Sequence, residues 1–147
     1  MKKLITAILI LTAFSAKAQY YGGMQFGYST KNKLTGALIG GYQFTNQQNE
    51  NKAIVLEGQM KFHIDRVNPA YFNAMAGYNF PLTSSITITP LAGSGYRLQS
   101  TDNKELNTIV WVAALRLEWK SNTIEYCYTD KTQFITIGIR ALKGRDL

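Results

Sequence analysis

Seven ionisable side chains, Glu57, Lys61, Arg97, Arg116, Glu118, Glu125 and Arg140, sit inside segments whose other residues are mostly apolar or small. A charge withdrawn from water is costly unless it is paired, so three carboxylates among four basic groups point to an internal ion-pair network. A path for protons or ions along the same groups is the sharper use of them. Two further residues invite a catalytic reading. His63, the one histidine, stands close to Asp65, a spacing that suits a pH sensor or an acid–base pair. No nucleophile or oxyanion arrangement accompanies it, and it reads as a histidine at a strand end that meets solvent. Cys127 is the one cysteine, which excludes an internal disulfide and fits a small packed residue better than a nucleophile. Glu57 and Glu125 resemble a carboxylate pair, but nothing in their spacing fixes a separation suited to hydrolysis. No Cys/His cluster has metal-ligand spacing. The glycines of Leu38-Ile39-Gly40-Gly41 and Ala92-Gly93-Ser94-Gly95 lack the following helix that a phosphate-cradling loop requires. No catalytic, metal or cofactor-binding residue is assigned; no enzymatic activity and no cofactor are expected.

The seven charges share one face because of how their segments alternate. From Ile54 to Ile64, the residues Ile54, Leu56, Gly58, Met60, Phe62 and Ile64 alternate with Val55, Glu57, Gln59, Lys61 and His63. A strand turns successive side chains to opposite sides, so a period of two means one apolar and one polar face. The same rhythm predicts strands at 20–29, 35–44, 53–64, 70–81, 85–99, 108–120, 123–129 and 133–142. Polar or turn-forming stretches separate them, including Thr45 to Lys52, Asp65 to Pro69 and Ser100 to Asn107. Short connections make sequential strands antiparallel neighbours. Eight of them avoid exposed edges by closing into an all-β, up-and-down barrel.

Alternation alone leaves open which face points inward. An eight-stranded barrel is only wide enough inside for its own side chains. Gly23, Gly27, Ala37, Gly41, Gly77, Gly93, Gly95, Ala114 and Gly138 lie on the polar face and suit that narrow lumen, whereas Trp111, Leu115, Leu117 and Trp119 inside would overfill it. The bulky face therefore reads as lipid-facing, and its strands are long enough to span a bilayer when tilted. With both termini at one end, Tyr20, Tyr42, Phe44, Tyr78, Phe80 and Trp119 fall near one rim; Tyr28, Phe62, Phe72, Tyr96, Trp111 and Tyr128 fall near the other. Two aromatic girdles around an aliphatic band are what a membrane selects. The reverse polarity, a secreted or periplasmic soluble barrel binding an apolar ligand, remains the alternative.

The N-terminus supports export. Met1-Lys2-Lys3 is basic, Leu4 to Phe14 is uncharged and apolar, and Ala16-Lys17-Ala18 offers small residues to a signal peptidase, so residues 1–18 read as a signal peptide with cleavage before Gln19. The apolar run is too short for the roughly 20 residues of a spanning helix. Residues 19–147 then form one domain. The chain carries 16 Lys and Arg against nine Asp and Glu, but the surplus is scattered through Lys31, Lys33, Lys52, Arg66, Lys104, Lys131, Lys143 and Arg145. A nucleic-acid binder would gather such charges on one face, so no nucleic-acid partner is expected; membrane lipid and an unidentified envelope or surface protein are.

With a signal, eight alternating segments, rim aromatics and a polar lumen, the chain resembles the small eight-stranded outer-membrane β-barrel proteins of Gram-negative bacteria. The resemblance is architectural, covers nearly all of Gln19 to Leu147 and rests on no unique motif. It implies a cell outer-membrane location, a side-chain-filled barrel and an envelope-structural or surface-interaction role. Three features depart from the pattern. The chain ends without the aromatic residue that commonly closes such barrels, the connections expected to be extracellular are short while the periplasmic turn Thr45 to Lys52 is comparatively long, and Pro90 interrupts the fifth segment, where a bulge or shortened strand is expected.

Overall fold

The computed structural model of the chain describes residues 18–30, 33–46, 49–64, 70–98, 108–129 and 131–143. The proposed signal peptide therefore lies outside the described residues, apart from Ala18. So do residues 65–69, Asp65 among them, residues 99–107 and the last four residues.

Eight strands follow one another: β1 (Ala18–Ser29), β2 (Leu34–Asn46), β3 (Asn49–His63), β4 (Ala70–Pro81), β5 (Ile86–Leu98), β6 (Thr108–Trp119), β7 (Asn122–Thr129) and β8 (Thr132–Lys143). Each pairs antiparallel with its sequence neighbours, and β8 returns to pair with β1, closing the barrel. Closure leaves no strand edge unpaired, which is why a sheet rich in exposed apolar residues has no open ladder to offer another chain. The start of β1 and the end of β8 share one end of the cylinder, called here the terminal end; at the other, the distal end, β1 meets β2, β3 meets β4, β5 meets β6 and β7 meets β8.

Side chains alternate between the two faces throughout. Outward lie Met24, Phe26, Leu38, Leu56, Trp111, Leu115, Ile135, Ile137 and Ile139, all exposed; inward lie Gln25, Glu57, Lys61, Arg116, Glu125 and Thr136, all buried. The core of this protein is its lumen. One side of that lumen is apolar, where Met75, Leu91, Val110, Val112 and Ala114 pack among β4, β5 and β6. The sequence reading gave the inward face as small or polar; three large aromatics, Tyr21, Tyr71 and Phe134, also turn inward and are buried.

Two local expectations are corrected. The polar stretch Thr45 to Lys52 is not a long turn: β2 runs on to Asn46 and β3 begins at Asn49, with a register shift between Thr45 and Asn46. Ladder hydrogen bonds use only main-chain groups, so polar residues can extend a hairpin without an apolar face to announce it. Pro90 neither bulges nor shortens β5. The register between β4 and β5 is the same on both sides of it, and pairs are missing only between Gly77↔Leu91 and Phe80↔Ile88. Toward β6 the ladder is continuous through Pro90↔Leu115. The N–H that proline lacks is thus a gap on one side alone. Within that gap the Thr89 hydroxyl donates to Asn79 Oδ1 at 2.7 Å, a side-chain bond replacing a main-chain one.

Candidate functional site

Parity places the charged residues. Glu57 and Lys61 are four positions apart on β3, Arg116 and Glu118 two apart on β6, and Arg116 faces Glu125 of β7 across one rung. All therefore turn into the bore. Arg116 spans it: Nη1 donates to Glu57 Oε2 at 2.6 Å, Nη2 also reaches Glu57 Oε1, and Nε donates to Glu125 Oε2 at 2.9 Å. Lys61 Nζ donates to Glu125 Oε1 at 2.7 Å. Gln59 Nε2 donates to Glu57 Oε1 at 2.7 Å and to both Glu125 oxygens at 3.0 Å, and the Tyr21 hydroxyl donates to Glu57 Oε2 at 2.6 Å.

The network continues toward the terminal end. Arg116 Nη1 lies 3.6 Å from Glu118 Oε1, and Arg140 Nη1 donates to that same carboxylate. Arg140 Nη2 donates to Gln43 Oε1 at 2.6 Å, and its guanidinium stacks 4.1 Å from the centre of the Tyr21 ring. The result is a ladder of alternating sign, Lys61, Glu125, Arg116, Glu118, Arg140, with Glu57 as a branch. The side chains of Lys61, Glu57, Arg116 and Glu125 are wholly buried. Three acids against three bases keep the set neutral. Several hydrogen bonds to each carboxylate offset the lost hydration that an isolated pair would leave uncompensated.

Arg97, the seventh residue of the sequence-derived set, stands apart. It is half-buried near the distal end of β5 and lies outside this ladder of ion pairs, making its interactions there. Sequence reasoning missed Gln59, Gln43 and Tyr21, which knit the carboxylates together. Their inward parity was visible, but which partner each would meet across the bore was not.

The expectation that His63 meets solvent is corrected. His63 is 2% exposed, the last rung Thr35↔His63 extends the ladder to it, and its ring stacks on Phe134 at 5.9 Å with Nδ1 3.5 Å from Thr35 Oγ1. Phe134 belongs to β8, so the residue that covers the histidine lies far along the chain. Cys127 is buried beside Phe134, its cross-strand partner. Among the described residues, no three His, Cys, Asp or Glu side chains gather as a metal site would require.

Outside, the girdle candidates fall in two sets. Tyr20 pairs with Tyr42 across β1 and β2, Tyr42 stacks with Phe44, and Tyr78 meets Phe80 edge to face at 4.8 Å, all toward the terminal end with Trp119. Phe72 pairs with Tyr96 toward the distal end, where Tyr28, Phe62, Trp111 and Tyr128 also lie. Exposed aliphatic residues separate the sets.

Neither a protein-family model nor a curated protein sequence matches the chain. Solved structures do. The chain is similar to a barrel reported as de novo design of transmembrane β-barrels, with a TM-score of 0.60 at 19% identity over 84% of this chain and 94% of that one. It is also similar to the designed barrel TMB2.3, solved in solution by NMR, with a TM-score of 0.59 at 16% identity over 87% and 96%. The crystal structure of Ail, the attachment invasion locus protein of Yersinia pestis, gives a TM-score of 0.50 at 13% identity over 84% and 97%. The chain is an all-β, closed eight-stranded antiparallel barrel, and it resembles the outer-membrane barrels of that architecture.

Proposed function

We propose that this protein is an integral outer-membrane barrel, exported by a cleaved signal peptide, with a plugged polar lumen and a non-enzymatic, envelope-structural or surface-interaction role. One observation carries the reading: the outward face is apolar on all eight strands while the paired ions lie inside. Trp111 is 84% exposed and Ile109 77%, and residues such as Met24, Phe26, Leu38, Leu115 and Ile135 are exposed with them. A continuous apolar surface of that extent is solvated by acyl chains far better than by water. The two aromatic sets then act as girdles at head-group depth. Outer-membrane lipid is the primary partner, with an envelope or surface protein as the second. The buried charges and amides of the inward face favour this reading over a soluble barrel that binds an apolar ligand, for which they would be a poor lining.

Cell fractionation tests this. The chain should be recovered from the outer membrane only with detergent, and its mobility on gels should change on boiling. Release with the soluble periplasmic fraction would reject it.

A further inference from the structure

Two asparagines of β4 face inward, and their surroundings differ. Asn79 Oδ1 accepts from the Thr89 hydroxyl at 2.7 Å. Asn73, on the same face, is 4% exposed, and neither its Oδ1 nor its Nδ2 meets a protein partner. It stands in the apolar part of the lumen, between Tyr71 and Met75 on its own strand and close to Val110 and Val112 of β6. A primary amide carries two donors and an oxygen with two lone pairs, and burying it with all of them unmet is costly. Leucine or valine would fill the same place without that cost.

The rung that holds Asn73 runs Gln59, Asn73, Gly95 across β3, β4 and β5. Gly95 makes room for the amide, since a Cβ there would collide with Asn73 Oδ1. With Oδ1 resting over Gly95, Nδ2 is the end left to serve β3. There Gln59, 3% exposed, aims Nε2 at Glu57 and at both oxygens of Glu125. Those bonds fix which way round its amide lies, because the reverse would set its oxygen against two carboxylates. Gln59 Oε1 is thereby turned from the ion pairs, and it too is buried with no protein partner. A donor and an acceptor thus stand unmet on adjacent strands of one rung. Buried groups of this kind are ordinarily joined by water, which holds its place through two to four polar partners.

We infer that the lumen binds a water between Asn73 and Gln59, accepting from Asn73 Nδ2 and donating to Gln59 Oε1, and that through it Asn73 is a positioning residue for the Gln59 amide. The water ties the wall of β4 and β5 to the group that bridges Glu57 and Glu125. This concerns the inside of the barrel and does not depend on what covers the outside. Its test is a high-resolution crystal structure of the folded mature chain beside those of N73L and G95A. Wild type should show an ordered water within hydrogen-bond distance of both Asn73 Nδ2 and Gln59 Oε1. In N73L the water should be lost and the Gln59 amide should leave at least one Glu125 oxygen, its side-chain resonance moving in spectra of the 15N-labelled variant. G95A displaces the Asn73 amide without removing it, should lose the same water, and gives the reading if N73L does not fold. A wild-type Asn73 with no water on its amide would overturn the inference. So would a water retained unchanged in both variants, or a Gln59 amide and resonance unmoved in N73L.

Discussion

Tyr21 and Glu57 lie two strands apart on a single rung, and the tyrosine hydroxyl donates to the carboxylate at 2.6 Å across Gly41, the residue between them. A side chain on β2 at that point would block the reach. A Cβ added to Gly41 would stand 2.9 Å from the Tyr21 hydroxyl and collide with the Leu56 carbonyl oxygen. Gly41→Ala should therefore destabilise the barrel by about 1–3 kcal/mol, the usual cost of overpacking a close-fitted interior. Tyr21→Phe removes one hydrogen bond to a charged group and should cost about 1.5–3 kcal/mol. Urea midpoints in lipid vesicles check both.

Arg116 holds both Glu57 and Glu125, so removing it takes the guanidinium from two buried carboxylates and leaves Glu125 with Lys61. Arg116→Leu should cost about 3–5 kcal/mol, the penalty for breaking a buried pair from one side. Arg116→Met combined with Glu57→Gln should cost less than Arg116→Leu alone, because fewer uncompensated charges remain. Equal losses for the two variants would show that the network is not what stabilises the lumen.

Leu115 and Ala114 are adjacent on β6 but face opposite ways: Leu115 is 48% exposed and Ala114 7%. Leu115→Arg should impair insertion by about 2–4 kcal/mol, the cost of an arginine near the bilayer midplane. Ala114→Ser should be mild. Folding yields into vesicles of defined lipid, read by gel mobility, give the comparison, and similar tolerance at both positions would contradict the assigned faces.

Two tight connections carry strained lysines. Lys120 between β6 and β7 has φ 56° and Lys131 between β7 and β8 has φ 60°, a left-handed conformation that L side chains adopt at a cost. Two-residue hairpins favour Asn and Gly at such positions. Lys120→Gly and Lys131→Asn should each raise stability by up to about 1 kcal/mol, with no change in insertion. Equilibrium unfolding of the single variants measures it.

The pattern of residues alone specified the strands and their faces, because a period of two is local: residues Ile54 to His63 declare an inside and an outside without reference to any other part of the chain. It also determined that seven charges share the inward side. Where the pattern was silent, reading failed locally, as at Asn49, where β3 already pairs with Asn46 of β2, and at Pro90, where the partner strand on the other side kept β5 whole. Who meets whom across the bore follows only from the closed fold. Arg116 bridges β6 to β3 and β7, Phe134 crosses from β8 to cover His63, and Arg97 remains outside the ladder, because those contacts depend on closure, strand register and side-chain reach over a cylinder rather than on spacing along a chain.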